Sequence, residues 1–407
     1  MNNVNNALVG QSGGPTAAIN STLAGVIAKC IKSDKIDTLY GAVNGIKGLL
    51  RENLVNLTET FKNNTYEKLD LLKQTPSAYL GSCRFRLKDE CEDTETVFKI
   101  MQKNNIKFFF YIGGNDSMDT VMKLAEKAKK YDIKIIGIPK TIDNDLSHTD
   151  FCPGYGSSAK YIATVISEVT RDTCCYDIES VTIVEIMGRN AGWLTAASAL
   201  ARVNGERCPD LIYLPEKPFD TNKFLSDVKE KVKQHKNIVI AVSEGIKDKD
   251  GNYISASNII LKEDMFGHSQ LGGAGKALET LIKENLKIKV RSIELNTPQR
   301  CASHISSLTD ITLSFDIGQY AVQCALDGQT GIMAVFERYK TADGTYKFGF
   351  NSVDVSYVAN AEKTVPDNYI SPDANNVTQE FIDYALPLIQ GETSIKFANG
   401  IPMVIKL

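Results

Sequence analysis

The chain lacks most of what would send it to a membrane, a nucleic acid or a structural metal. No apolar run approaches the roughly 20 residues of a membrane helix, and the Asn-rich start (Asn2, Asn3, Asn5, Asn6) has no apolar signal core. The nine cysteines contain no CxxC pair, and Cys174 and Cys175 are merely adjacent. Reduced thiols in the cytoplasm are therefore expected, not a disulfide framework. The four histidines (His148, His235, His268, His304) are scattered without metal-ligand spacing. Charge of one sign is also missing: Lys+Arg 46 stands against Asp+Glu 49, a net charge of −3. That balance leaves no electrostatic case for nucleic acid or an anionic membrane, so any anionic ligand must be met by local clusters of Arg and Lys. There is no fixed-period repeat and no low-complexity linker. Two nucleotide signatures are absent as well. Gly275-Lys276 is followed by Ala277 and lacks Walker A spacing, and no Gly-x-Gly-x-x-Gly follows a strand with a ribose-binding acid. The second absence argues against a dinucleotide-dependent oxidoreductase.

What is present is enough for more than one core. At 407 residues and 43% hydrophobic, two α/β lobes are expected. Short β-rich runs alternate with helical patterns, which favours parallel sheets with helices on both faces. Strands are expected at 7–10, 37–43, 107–112, 134–138, 181–186, 211–214, 237–242, 290–295 and 331–336. Helices are expected at 17–31, 117–130, 157–171, 222–235, 274–287 and 310–327. A polar, turn-rich stretch, 337–376, then precedes a short amphipathic helix at 378–388 and reads as an extension of the second lobe.

Ligands of open α/β sheets sit beyond the carboxyl ends of the strands, and there this sequence concentrates glycines, acids and arginines. The first strand is followed by Gly10-Gln11-Ser12-Gly13-Gly14-Pro15-Thr16 and a helix. Paired glycines let backbone N–H groups approach an anion at a helix start, although the same residues also suit a plain tight turn. After Phe108–Ile112 comes Gly113-Gly114-Asn115-Asp116-Ser117. Its acid near a phosphate would imply bound Mg²⁺, while Asn115, Asp116 or Ser117 could equally cap a helix. After Ile135–Ile138 comes Pro139-Lys140-Thr141-Ile142-Asp143-Asn144-Asp145, two carboxylates beside a lysine, one a candidate base and the other its orienter. Met187-Gly188-Arg189-Asn190 and Ser243-Glu244-Gly245 follow later strands, and Arg84, Arg291 and Arg300 complete the set. Several arginines at strand ends point to a site for more than one phosphate.

Taken in order, these loops resemble the phosphofructokinase family from about Ala7 to Glu337. The resemblance implies two Rossmann-like three-layer lobes with mostly parallel sheets. The donor lobe would be 1–154 plus about 299–350, and the sugar-phosphate lobe 155–298 plus about 351–407. It implies that Asp143 is the base for the sugar 1-hydroxyl and that Asp145 holds Asp143 and Arg189 in place. Thr141 and Gly13 would touch the transferring phosphoryl group, and Arg84 with Arg189 would neutralise its charge. Gly14, Gly114, Asp116 and Lys140 would line the donor site, with Mg²⁺ at Asp116. Met187, Gly188 and Glu244 would hold the sugar, and Arg291 with Arg300 its 6-phosphate. Arg291 would reach across a subunit interface, so a homodimer or homotetramer is implied.

Two positions bear on the donor. ATP-using relatives usually carry glycine where this chain has Asp116 and Lys140. A carboxylate at that turn repels the larger nucleotide, and the ammonium compensates compact pyrophosphate. The pair implies pyrophosphate as donor and fructose 6-phosphate as acceptor, in glycolysis, with no nucleic-acid or membrane partner. Three departures stand out: Asn115 where many relatives have an Mg²⁺-associated Asp, Ser180 in place of a sugar-phosphate arginine, and Thr297 in place of a histidine. The rival readings within the family are an ATP-dependent enzyme and a non-catalytic regulatory subunit. The latter would be expected to lose the Asp143, Asp145, Arg84 or Arg189 that this chain keeps.

Overall fold

A computed structural model describes residues 5–85, 87, 92–255, 273–342, 344 and 346–407. Asn2, Asn3, Cys91 and His268 lie outside them. The chain divides into two compact units. Unit 1 comprises Met1–Ser157, Arg300–Glu362 and Gly391–Leu407; unit 2 comprises Ser158–Gln299 and Lys363–Gln390. The last assignment corrects the sequence expectation: residues 351–362 and 391–407 belong with the first unit, not the second. The returning tail is fastened there by Gln74. Its Nε2 donates to Lys396 O (3.1 Å) and Met403 O (2.8 Å), and its Oε1 accepts from Lys396 N (2.9 Å).

Unit 1 is built on seven strands: β1 (Asn6–Gln11), β2 (Leu39–Ala42), β3 (Leu54–Asn56), β4 (Ile106–Gly113), β5 (Lys134–Pro139), β6 (Ile332–Lys340) and β7 (Tyr346–Asp354). Their order across the sheet is β7-β6-β5-β4-β1-β2-β3. The five inner strands are parallel and the two edges antiparallel. Strand β7 corrects the expectation of an irregular 337–376 stretch. It is a half-exposed edge strand, so its pattern of Lys347, Gly349 and Asn351 reads as turn. Alternation along the inner strands splits the side chains between two faces. Leu8, Phe109, Tyr111 and Ile135 pack with Phe98, Met101, Met118 and Val121 in one core.

Elsewhere in unit 1, helices Ile19–Lys32 and Leu308–Leu326 approach until backbone meets backbone. A Cβ on Gly25 would fall 1.9 Å from Phe315 O, and one on Gly318 2.2 Å from Thr22 O. Only glycine admits that contact, and Ser21 Oγ adds a hydrogen bond to Ile311 O (2.6 Å).

Unit 2 carries an all-parallel sheet of four strands: Ser180–Ile186, Leu211–Tyr213, Asn237–Ser243 and Lys289–Glu294. Leu211–Tyr213 and Lys289–Glu294 form its edges. Helix Thr221–Gln234 starts where Asp220 Oδ1 accepts from the backbone of Asn222 (2.8 Å) and Lys223 (2.9 Å). Its Phe224, Val228 and Val232 recur at helical spacing and join the core formed by Ile183, Ile238 and Ile240. The one tryptophan, Trp193, anchors the second excursion of the chain through Tyr369, Phe381 and Tyr384. Among the described residues no helix is long and apolar enough to cross a membrane, and the described cysteines are unbridged.

Candidate active site

Strands β5, β4 and β1 are neighbours in register, with Gln11 opposite Ile112 and Gly113 opposite Pro139. The three loops singled out in the sequence therefore leave unit 1 side by side, at the carboxyl edge where open α/β sheets bind ligands. Lys140 joins them. Its backbone N–H donates to Gly113 O (2.9 Å), and its Nζ donates to Gly14 O (2.8 Å). Gly13 adopts φ +75°, and a side chain there would begin 3.1 Å from Lys140 Nζ. Lys140 is only 3% exposed. Burial pushes its ammonium down from 10.5 to about 8, against the opposing pull of Asp143 and Asp145, while Arg300 adds to the lowering.

The acidic turn is set by its own backbone. Thr141 Oγ1 accepts from Asp143 N (3.1 Å), and Asn144 is buried at φ +54°, with Oδ1 accepting from Cys152 N (2.9 Å). Turning Asn144 inward leaves Asp143 and Asp145, on either side of it, half-buried. Downstream, Asp310 is fully buried and accepts from Gly154 N (3.0 Å), Ser157 N (2.9 Å) and Ser157 Oγ (2.6 Å). Burial raises its carboxyl above the usual range.

At the second loop, Gly114 caps helix Asn115–Ala128 and Asp116 occupies its first turn. The Asn115 side chain is committed elsewhere: Oδ1 accepts from Asn360 N (2.7 Å) and Nδ2 donates to Ala361 O (2.5 Å). Arg84 is exposed at the end of a loop tied to the Gly-rich turn. There Gly13 N donates to Cys83 O (3.2 Å) and Ser82 Oγ to Gly13 O (2.6 Å). Arg300, expected at the sugar 6-phosphate, lies in unit 1, its Nη1 3.6 Å from where a Gly14 side chain would begin. Its buried Nε makes no hydrogen bond within the described structure.

In unit 2 a second cluster forms in the same way. Ile186 and Ser243 end adjacent parallel strands, which puts Met187–Arg189 beside Glu244. Glu244 N donates to Ile186 O (2.9 Å), and Glu244 Oε1 accepts from Gly188 N (3.3 Å). Ser243 Oγ donates to Gly188 O, and Gln299 Oε1 accepts from Met187 N (3.1 Å). Burial raises the Glu244 carboxyl, with the Gly188 N–H and Arg189 opposing. Arg189 Nε is buried and makes no hydrogen bond within the described structure.

Arg291 stands apart. It pairs in register with Thr182, four residues before the end of its neighbouring strand, or roughly 13 Å at the usual rise. Its guanidinium is held by Asp172 (2.7 Å), Thr173 (3.2 Å) and Thr182 (3.2 Å). Within one chain it does not join Met187 and Glu244. Sequence reasoning missed Gln299 and Asp310, the residues that fasten these loops from behind.

Comparison with known proteins finds relatives along nearly the whole chain. The family model described as Phosphofructokinase matches residues 6–325. A protein of Halomonas elongata named pyrophosphate–fructose 6-phosphate 1-phosphotransferase is 39% identical over 99% of this chain and 96% of its own length. Its namesake from Methylococcus capsulatus is 38% identical over the same shares. The solved structure of a pyrophosphate-dependent phosphofructokinase from Nitrosospira multiformis is similar at TM-score 0.86 and 35% identity. That match covers 98% of this chain and 96% of the other.

Proposed function

This chain belongs to the phosphofructokinase family, and on that footing we propose that it transfers a phosphoryl group from pyrophosphate to the 1-hydroxyl of fructose 6-phosphate. The products are fructose 1,6-bisphosphate and phosphate, in a reversible glycolytic step. The observation that carries the donor assignment is Lys140, a buried cation hydrogen-bonded to Gly14 O with Asp116 on the adjoining loop's first helical turn. A small, highly charged donor is the ligand that offsets the cost of keeping such a lysine charged, and Asp116 disfavours the longer nucleotide.

In this reading the Asp143 carboxylate takes the proton from the sugar O1 as that oxygen attacks the terminal phosphorus of pyrophosphate. The bridging P–O bond breaks and phosphate leaves. Asp145 orients Asp143. Thr141, Gly13, Gly14 and Gly114 hold the donor, while Arg84 and Arg189 balance charge that builds on the transferred group. Met187, Gly188 and Glu244 bind the sugar. Arg291 meets the 6-phosphate from a neighbouring subunit of a homodimer or homotetramer. Arg300 shares that duty, and its contact with the Gly14 loop makes it the assignment most in need of a kinetic test.

Mg²⁺ fits this donor set. No described group of three or more His, Cys, Asp or Glu side chains forms a metal cage, and Mg²⁺ commonly binds through one or two carboxylates together with phosphates and water. Asp116 would hold it, and the ion would neutralise pyrophosphate oxygens. The unbridged cysteines are compatible with work in the cytoplasm.

The test is a coupled assay of fructose 1,6-bisphosphate formation with Mg²⁺, comparing pyrophosphate with ATP. Turnover with pyrophosphate alone is expected. A preference for ATP would overturn the donor assignment while leaving the sugar chemistry standing, and no turnover with either donor would overturn both.

A further inference from the structure

The loop that carries Arg84 has no secondary structure of its own. After helix Thr65–Gln74, residues 75–85 belong to no helix or strand. A backbone without a ladder must find its hydrogen bonds elsewhere, and here it finds them on two side chains of the Gly-rich turn. Gln11 ends β1 and Asn20 is the second residue of helix Ile19–Lys32, so they bracket that turn; both are 0% exposed. Gln11 Nε2 donates to Asn20 Oδ1 (3.0 Å) and Ile19 O (3.4 Å), closing the turn on itself. The remaining groups face the Arg84 loop. Gln11 Oε1 accepts from Leu80 N (2.9 Å), Asn20 Oδ1 from Tyr79 N (2.8 Å), and Asn20 Nδ2 donates to Thr75 O (2.9 Å).

We propose that Gln11 and Asn20 are positioning residues: a buried amide pair that registers the Arg84 loop against the donor turn and so aims Arg84 at the transferred phosphoryl group. The inference rests on the role given to Arg84 above. Two carboxamides are an expensive way to fill a core if packing is all that is needed. Each costs free energy to bury unless its hydrogen bonds are made, whereas leucine or methionine would pack there without that demand. What directional amides add is a fixed geometry: neither loop can slide without breaking bonds in a buried site. Misplacing a charge-stabilising group by about 1 Å can cost on the order of a hundredfold in rate. The pair acts from behind, through Leu80 and Tyr79, on an arginine only a few residues further along.

A double-mutant cycle on the full-length enzyme tests this. Gln11→Met keeps the volume and removes the amide. It should lower kcat for the pyrophosphate reaction by about tenfold to a hundredfold, measured on protein whose circular dichroism and melting confirm folding. In an Arg84→Ala background the same substitution should change kcat by less than about twofold, because the group it aims is gone. A purely structural residue would shift melting equally in both backgrounds and would show no such coupling in kcat. Should Gln11→Met fail to fold, Asn20→Asp is read in the same cycle. Because a buried Asp would set a carboxylate against Thr75 O, its coupled loss is expected to be at least as large as that of Gln11→Met. If Arg84→Ala alone leaves kcat unchanged, the reading of the site fails. If Arg84→Ala is slow but the amide substitution is silent, or costs as much with Arg84 absent, the positioning role is overturned and the site reading stands.

Discussion

Lys140 offers the sharpest quantitative test because its burial and its function pull in opposite directions. Its pKa falls from 10.5 to about 8 through burial, so holding the proton costs the folded chain about 3 kcal/mol at 1.36 kcal/mol per tenfold change in proton affinity. Between those pH values the unfolded chain holds a proton that the folded one has released. Stability therefore rises with pH through that window, and the full penalty is present below pH about 8. Activity should do the reverse. A charge-assisted contact to pyrophosphate is worth about 1.5–3 kcal/mol, so Lys140→Met should lower kcat/KM for pyrophosphate roughly ten- to a hundredfold near pH 7.

As pH passes about 8, the wild-type enzyme loses the same charge. Because kcat/KM reports the free enzyme, its advantage over the mutant should shrink about tenfold by one pH unit higher. The limb in kcat should lie at higher pH, since bound pyrophosphate stabilises the ammonium. Denaturation of the same two proteins should show Lys140→Met relatively more stable at pH 7 than at pH 10. The assay is initial rate against pyrophosphate at fixed, subsaturating fructose 6-phosphate from pH 6.5 to 9.5. A wild-type to mutant ratio that stays flat across that range would refute the reasoning.

Other expectations follow from the same geometry. Asp143→Ala should reduce kcat by roughly 10² to 10⁴ with folding intact, checked by steady-state rates and circular dichroism, since a general base contributes about that much. Asp116→Gly should admit measurable ATP turnover and modestly weaken the Mg²⁺-pyrophosphate reaction; an unchanged ATP rate would remove Asp116 from donor choice. Arg291→Ala should raise KM for fructose 6-phosphate about ten- to a hundredfold with little effect on pyrophosphate. Arg300→Ala should behave alike, and a rise confined to pyrophosphate would reassign it to the Gly14 loop it touches. Gly25→Ala should destabilise unit 1 by about 1–3 kcal/mol in chemical denaturation, because the added carbon meets Phe315 O at 1.9 Å.

The inner strands were legible because burial on both faces leaves near-continuous apolar runs such as Phe108–Ile112, where alternation is not needed to see them. Their loops were legible for a related reason: glycine, acid and arginine immediately after such a run are costly choices without a ligand. What stayed hidden is non-local. Strand β3 is three residues long and pairs only at a sheet edge. The tail gives no local sign that it returns to unit 1, because Gln74 and its partners lie more than 300 residues apart in sequence. Gln299, Gln11 and Asn20 look like ordinary polar residues until the fold turns their amides inward. Arg291 was read as a ligand residue from resemblance, yet its strand runs along the sheet edge. That placement explains its exposure, and its pairing with Thr182, well before the carboxyl end of the neighbouring strand, explains its absence from the cluster in its own chain.

The rules that this chain breaks are more informative than those it keeps. Lysine and arginine are seldom buried, yet Lys140 is buried with one backbone oxygen for its ammonium, and Arg189 and Arg300 each hide an Nε that makes no hydrogen bond within the described structure. Glu185 is buried too, raised by that burial to about 7 while accepting from Gly273 N (3.1 Å) and Gly275 N (2.7 Å). Lys140, Arg189 and Glu185 lie at or just past the carboxyl ends of parallel strands, and Arg300 touches the loop beyond β1. Had these charges served stability, apolar residues of similar volume would have done better. Under the function proposed above, the cost of the three cations would be offset when an anion of high charge arrives, while Glu185 is held by the Gly273 and Gly275 N–H groups. In that reading burial holds these cations away from bulk water beforehand, so reorganisation that water would impose during phosphoryl transfer would already be met in folding.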